Sequence, residues 1–112
     1  MSYDVRLEID TGGEYPAHLT DTHCPTYNLS AMFREALGMG MQKRGDEPAL
    51  DGMLAADALL VISTALTRMA VEPGVFRALN PPNGWGDYEG AVEFLRWLQD
   101  ACNKHPKATV RT

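Results

Sequence analysis

The stretch from Asn80 to Leu98 constrains the fold most, because a rigid turn runs directly into an amphipathic helix. Proline, glycine and asparagine, the residue types that set special backbone angles, fill the turn up to Gly86. Asp87 then occupies the position of a helix N-cap. Apolar residues follow at spacings of three and four along one face: Tyr88, Ala91, Val92, Leu95, Leu98 and Cys102. This spacing predicts a helix to about Lys104 whose apolar face is the centre of the core.

The two ends of the chain read as strands. Tyr3–Asp10 alternates apolar and charged residues without an error, which predicts a half-buried strand with one solvated face. The glycines in 11–14 predict a turn into a second strand over Ala17–Asp21, and so an antiparallel hairpin. Lys107–Thr112 is predicted to be a short strand beside the first one.

Three further helical segments are predicted between the strands. A short one is capped by Asn28 and stopped by Gly38, and a flexible connection follows it to Gly45. A longer one starts near Pro48 or Asp51 and ends near Val71. Its middle, residues 58–62, is apolar on every side, which predicts a helix buried between other elements. Pro73 then opens a short helical turn.

The order of these elements predicts a single α+β domain over residues 1–112. Strands at both ends and helices between them are typical of a small antiparallel sheet, here the N-terminal hairpin plus the C-terminal strand, with three to four helices on one face. Such a sheet has two open edges, so pairing with a second copy to form a homo-oligomer is one expectation.

Charge and composition disfavour several classes of partner. The net charge is -5, and the basic residues are scattered, never more than two together. Nucleic-acid binding is therefore disfavoured, because phosphate neutralisation by basic residues supplies most of that affinity. No apolar run approaches the length of about 18 residues that a membrane span needs. Two cysteines and no secretory leader indicate reduced thiols in a cytoplasm.

Three blocks carry a resemblance to a known group of proteins. They are Tyr3–Gly12, Thr26–Met32, and Asn80–Ala91 with its Asn-Pro-x-Asn-Gly-Trp-Gly-Asp-Tyr-Glu-Gly pattern. In these blocks the chain resembles uncharacterised small proteins of tailed phages and prophages, notably of actinobacterial hosts. The resemblance implies a phage-encoded accessory protein in the bacterial cytoplasm, and it implies no particular activity. Relatives carry Asn-x-Thr-x-Asn before the middle helix, where this chain has Cys24 in place of the first asparagine.

A polar loop before the first helix is the leading candidate for a ligand or partner site. Its candidate residues are Asp21, His23, Cys24, Thr26 and Asn28. Free N–H groups and the helix dipole favour a small anion or polar group at such a place. The structural alternative, which we favour, is that these residues form turns and caps.

Cysteine and histidine chemistry gives two weaker hypotheses. His23, Cys24, Cys102 and His105 together offer two nitrogens and two sulfurs, a set that suits tetrahedral zinc. Cys24 beside His23, with Asp21 or Asn28 as the orienting group, offers an activated thiolate. Neighbouring side chains diverge, so both hypotheses are disfavoured, and no cofactor and no catalytic residue are assigned.

Trp85 and Tyr88 form an aromatic pair at the glycine turn, and such a pair can stack on a base or a sugar. We favour a structural role, in which both rings hold the turn on the core. The sequence as a whole favours a non-enzymatic protein-interaction module that binds a host or phage protein. The competing interpretation is a small-ligand or enzyme domain whose 21–28 loop is closed by the Trp85 turn.

Overall fold

The computed structural model describes residues 2–112 and has the predicted α+β architecture. Its strands form one antiparallel sheet in the order β2-β1-β3 and are β1 (Arg6–Ile9), β2 (Ala17–His18) and β3 (Thr109–Arg111). Its helices are α1 (Ser30–Leu37), α2 (Ala55–Val71), α3 (Pro73–Arg77) and α4 (Tyr88–Lys104). The C-terminal strand lies beside β1, as predicted.

The central strand keeps its predicted alternation but is shorter than predicted. Val5 and Leu7 are fully buried on the core side. Val5 exchanges backbone hydrogen bonds with His23 of the following loop, so the residues before Arg6 pair with a loop and not with β2. The backbone pairing of β1 with β2 ends early, because the Leu7 N–H donates to the Thr20 hydroxyl at 3.1 Å. A continued ladder would have a backbone carbonyl as the acceptor.

Glu8 departs from the prediction of a solvated outer face for β1, because it is only 6% exposed. Its carboxylate forms an ion pair with Arg6 of the same strand and lies 3.1 Å from His18 Nε2 on β2. Arg111 on β3 lies 3.9 Å from the other carboxylate oxygen. A buried carboxylate requires such partners, and here the strands on both sides supply them.

The first helical segment begins with a different cap from the one predicted. Thr26, and not Asn28, is the N-cap of a short 3-10 helix (Tyr27–Leu29) that continues into α1. The Thr26 hydroxyl accepts hydrogen bonds from both the backbone N–H and the side-chain amide of Asn28. Gly38 ends α1 in the left-handed conformation, as predicted.

The connection from Gly38 to α2 is fixed to the core and to the sheet. Met41 is buried, and the carbonyl oxygens of Gly40 and Met41 accept hydrogen bonds from residues 50 and 51. The backbone of Gly52 and Met53 then bonds to Val110, on the side of β3 that faces away from β1. The helix predicted from Pro48 or Asp51 therefore begins only at Ala55. The same pairing covers the β3 edge, which disfavours the predicted sheet-edge route to a homo-oligomer.

The apolar middle of α2 predicted a helix buried on every side, but one side of the helix is exposed. Ala58 and Ile62 are fully buried, but Leu60 is 71% exposed. The helix packs against α1, α3 and α4, and these neighbours cover less than its full circumference.

Helix α4 follows the prediction closely, whereas the turn before it does not. Asp87 is the N-cap, its carboxylate accepting from Gly90 N–H at 2.7 Å, and Leu95, Leu98 and Cys102 are fully buried. Trp85, however, is 69% exposed, so the prediction that it packs on the core is wrong. The turn is held by Gly86 instead, which lies against Thr26 and Leu29.

We expect Gly86→Ala to lower the free energy of unfolding by about 3 kcal/mol, from backbone strain and overpacking together. The φ of Gly86 is +101°, and a Cβ there would lie 2.8 Å from the Thr26 methyl carbon. Gly84 is the matched control, because its φ is +75° but a Cβ would meet nothing within 4 Å. Gly84→Ala should cost about 1 kcal/mol. Urea denaturation followed by circular dichroism measures both, and equal losses would contradict a role for the Gly86 contact.

Candidate functional site

The predicted polar loop is an extension of the sheet and not an open anion cradle. Between residues 2 and 5 the first strand pairs with the 21–28 loop: Val5 bonds to His23, and Tyr3 N–H donates to Pro25 carbonyl oxygen at 2.9 Å. This pairing uses the backbone N–H and C=O of His23 and the C=O of Pro25, which are then not free for a ligand. Side chains along an extended segment alternate in direction, so the candidate residues of the loop divide between different surroundings.

Asp21 and His23 lie toward the C-terminal half of α4. The His23 ring stacks on Trp97, with ring centroids 3.9 Å apart and an angle of 20° between the planes. Asp21 lines a polar groove of about 750 Å³ together with Trp97, Lys104 and His105. Lys104 already pairs with Asp100 at 3.0 Å. This groove is polar and contains charges of both signs.

Cys24 points to a carboxylate, and this disfavours the thiolate hypothesis. Its Sγ lies 3.4 Å from Asp4 Oδ1, to which the thiol donates. This hydrogen bond, with smaller contributions from desolvation and from the charge of Asp4, raises the pKa of Cys24 above its usual value. An activated cysteine requires the opposite shift. The ring of the neighbouring His23 stacks on Trp97, and the polar partner of the Cys24 thiol is Asp4 instead.

The zinc hypothesis fails because its four residues are not brought together. Cys24 is exposed, whereas Cys102 is fully buried in the core, where desolvation raises the pKa of its thiol to about 11. His105 lines the polar groove described above. Within residues 2–112, no three side chains of His, Cys, Asp or Glu are placed to hold a metal ion.

The other half of the loop does meet the Trp85 turn, as the competing interpretation expected. Thr26, Asn28, Asn83 and Trp85 line a groove of about 450 Å³. The side-chain amide of Asn83 donates to Asn28 Oδ1 at 3.4 Å across it. These polar groups also bond within their own segments, because Asn83 Oδ1 accepts from Trp85 N–H at 3.0 Å. The groove therefore offers one exposed aromatic ring beside two largely occupied amides.

Tyr88 does not join this groove. Its hydroxyl donates to the carbonyl oxygen of Met69 at 2.7 Å, which ties the start of α4 to the end of α2. The Arg77 guanidinium lies over its ring, 4.8 Å from the centroid. Tyr88 is a packing residue, in agreement with the structural role that the sequence favoured for it.

A surface that the sequence did not predict lies along the outside of α2. Four exposed residues without charge form what we call the outer stripe: Leu60, Thr64, Thr67 and Val71. Leu60 is 71% exposed and Val71 is 73% exposed, and Val75 on α3 lies beyond them at 47%. At 3.6 residues per turn the four stripe residues fall within an arc of about 60°. The sequence carries no charged residues on this side of α2 that would mark it as solvent-exposed, so hydrophobic periodicity gave no sign of the surface.

The two threonines make the outer stripe more apolar than its composition suggests. The Thr64 hydroxyl donates to the carbonyl oxygen of Leu60 at 2.9 Å, and the Thr67 hydroxyl donates to that of Ser63 at 3.0 Å. With the hydroxyls bonded back to the helix, the methyl groups are left to meet an incoming surface. Arg68, the only charged residue between Asp57 and Glu72, bonds to Glu35 on α1.

Comparison with protein-family models, with curated proteins and with solved structures finds no match to this chain. Among the described residues, no helix is long and apolar enough to cross a membrane.

The two cysteines should differ sharply toward a thiol reagent. In native protein at pH 8 we expect one thiol, Cys24, to react with excess dithionitrobenzoate, and both to react after unfolding in urea. Asp4→Asn should speed the native reaction and move its pH profile lower, because it removes the carboxylate that raises the pKa of Cys24. Asp46→Asn, in an exposed loop, is the control. An unchanged rate in Asp4→Asn would contradict the assigned cause.

Proposed function

We propose that this chain is a non-enzymatic protein-interaction module whose binding surface is the outer stripe of α2. In this proposal it is a phage-encoded accessory protein that acts on another protein in the cytoplasm of a bacterial host. The observation that carries the proposal is the exposure of Leu60 and Val71 on an uncharged helix face.

The free energy available at this surface supports the proposal. Burying an exposed leucine or valine side chain is worth roughly 1.5–3 kcal/mol, because apolar area is removed from water. Two large apolar side chains exposed on one uncharged helix face form a surface of the kind that partners cover. The threonine hydroxyls add no desolvation cost, since they are already hydrogen-bonded to the helix.

The polar candidates support catalysis less well. The thiol of Cys24 is held by a carboxylate, and Asn28, Thr26 and Asn83 bond to one another. A nucleophilic cysteine needs a lowered pKa or an oriented base, whereas the partner of Cys24 is the Asp4 carboxylate, which raises the pKa of the thiol.

The proposal is tested by capture from bacterial lysate, with an untagged copy of the chain present among the potential partners. The double variant Leu60→Asp/Val71→Asp should no longer capture the proteins that the wild-type chain captures, because two charges would be buried in the interface. Tyr15→Asp is the matched control, since Tyr15 is 77% exposed on the β1–β2 turn, away from the outer stripe. Both variants should unfold within about 0.5 kcal/mol of wild type. Equal retention by all three chains would contradict the proposal.

A second candidate function is small-ligand binding at the Trp85 groove. It is favoured by the exposed Trp85 ring beside Asn28, because aromatic faces stack on flat ligands. Purified wild-type protein would then carry extra mass in native mass spectra compared with its denatured mass. Trp85→Ala should lose that mass, whereas Tyr15→Ala should keep it. A clean native mass for the wild-type chain would count against this candidate.

A further inference from the structure

We infer that a groove between α1 and the loop that follows it binds a phosphate group, free or at the end of a small ester, through the guanidinium groups of Arg34 and Arg44. We call it the arginine groove. It shares no residue with the outer stripe or with the Trp85 groove, so this binding is separate from the proposed function.

The charge of the lining is the first reason. The arginine groove has a volume of about 290 Å³ and is lined by Arg34, Arg44 and uncharged residues, with no acidic residue among them. The larger polar groove beside α4, by contrast, is lined by Asp21 and Asp100 as well as by Lys104. In a chain of net charge -5, a place where cations meet without carboxylates attracts an anion by its local field. The volume is at the low end for ligand sites, which favours a small anion.

The two guanidinium groups are available to such an anion. Arg34 has one long contact with a carboxylate, 3.8 Å from its Nη1 to Glu47 Oε2. Within residues 2–112, no carboxylate oxygen lies within 4 Å of the side-chain nitrogens of Arg44. Gln42 Nε2 donates to the Tyr27 hydroxyl at 3.4 Å, and an amide nitrogen has a second hydrogen to donate.

The hydroxyl groups of the groove bond to each other and leave the charged groups as its main donors. Ser30 Oγ donates to the carbonyl oxygen of Tyr27 at 2.6 Å. The Tyr3 hydroxyl lies 2.5 Å from Ser30 Oγ and therefore donates to it. A neutral ligand with many hydroxyls would find few free partners here, so the groove selects for negative charge.

The position of Arg34 is the second reason. Its guanidinium lies against Gly40, where a Cβ would be 3.3 Å from Arg34 Nη2 and 3.3 Å from the carbonyl oxygen of Gln42. The φ of Gly40 is not positive, so the backbone alone does not require a glycine, and the glycine instead provides space for Arg34. Buried Met41 and a hydrogen bond from Leu50 N–H to the Gly40 carbonyl oxygen anchor this part of the loop. A binding group that is held in place loses less entropy when its ligand arrives.

These donors match a phosphate better than a carboxylate. A guanidinium group donates in pairs to the oxygens of either anion, and each brings one positive charge. Two such groups balance the nearly double charge of a phosphate monoester at neutral pH. Arg34 reaches the groove from a helix and Arg44 reaches it from a loop, which suits a tetrahedral group with three terminal oxygens more than a planar one.

The test is an NMR titration of ¹⁵N-labelled protein with inorganic phosphate, glycerol phosphate and acetate, at constant ionic strength in chloride. Amide signals of residues 40–44 should shift with both phosphates, with a Kd of about 1 mM, and much less with acetate. The two phosphates distinguish the source, because an ester that uses the space around its phosphate binds more tightly than the free ion.

Matched variants separate the groove from net charge. Arg44→Gln should raise the Kd for phosphate by about tenfold or more, because a charge-assisted hydrogen bond is lost. Lys107→Gln makes the same change of charge on an exposed residue outside the groove and should leave the Kd within about twofold. Arg44 is exposed, so the Arg44→Gln chain should melt like the wild type when followed by circular dichroism.

Two further variants test the assigned contacts. Glu47→Gln should tighten phosphate binding by about twofold, because it removes the carboxylate that competes for Arg34. Gly40→Ala should weaken binding by displacing the Arg34 guanidinium, whereas Gly74→Ala should not, since a Cβ there would meet nothing within 4 Å.

Three results would overturn the inference: no shift of residues 40–44 with either phosphate, binding of acetate as tight as that of phosphate, or equal weakening by Arg44→Gln and Lys107→Gln. Each leaves capture through the outer stripe untouched, so failure here is distinct from failure of the proposed function.

Discussion

The pairing of the first strand on both of its sides is the constraint on which the rest of the structure depends. On one side Glu8 and Ile9 pair with β2, and Val5 pairs with His23 of the 21–28 loop. On the other side β3 joins the strand from the far end of the chain. The other side of β3 bonds to Gly52 and Met53, which lead directly into α2. The first residues of α2 donate to carbonyl oxygens in residues 106–108 in place of a side-chain cap. The start of α2, and with it the direction of its outer stripe, is thus determined by the sheet.

The positions of helices and strands could be predicted from the sequence where apolar and polar residues occupy distinct faces. The first strand alternates charged and apolar residues, and α4 repeats its apolar face with Asp87 as a cap, so their positions follow from period and capping alone. Helix α2 carries few such marks: only Asp57 and Arg68 are charged within it. The spacing of apolar residues could not identify the outward side of the segment 58–62, because that side depends on where α1, α3 and α4 pack. Leu60 was therefore assigned to the core, and it is the neighbouring helices that leave it exposed.

The candidate sites show the same limit. The sequence placed the 21–28 loop near the Trp85 turn, and the contact of Thr26 with Gly86 agrees with that. It could not say that Asp21 and His23 turn toward α4 while Thr26 and Asn28 turn toward Asn83, because the division follows from pairing of the loop with the first strand. Trp85 was expected in the core because large aromatics usually bury. In this turn it is the glycine, with no side chain, that approaches Leu29, and the indole is left outside.

The polar loop and the apolar outer stripe differ in the free energy that binding a partner can gain. Along the 21–28 loop four of the five candidate residues already have partners: Cys24 has Asp4, Thr26 and Asn28 have each other, and His23 stacks on Trp97. A ligand would exchange these interactions for others of similar strength, so the net gain would be small. The outer stripe has no such internal compensation for Leu60 and Val71, since the fold leaves both side chains mostly exposed. The free-energy cost of this exposed apolar area is removed only when another surface covers it. This difference in available free energy, more than any catalytic geometry, is why interaction through α2 is the function that the fold supports best.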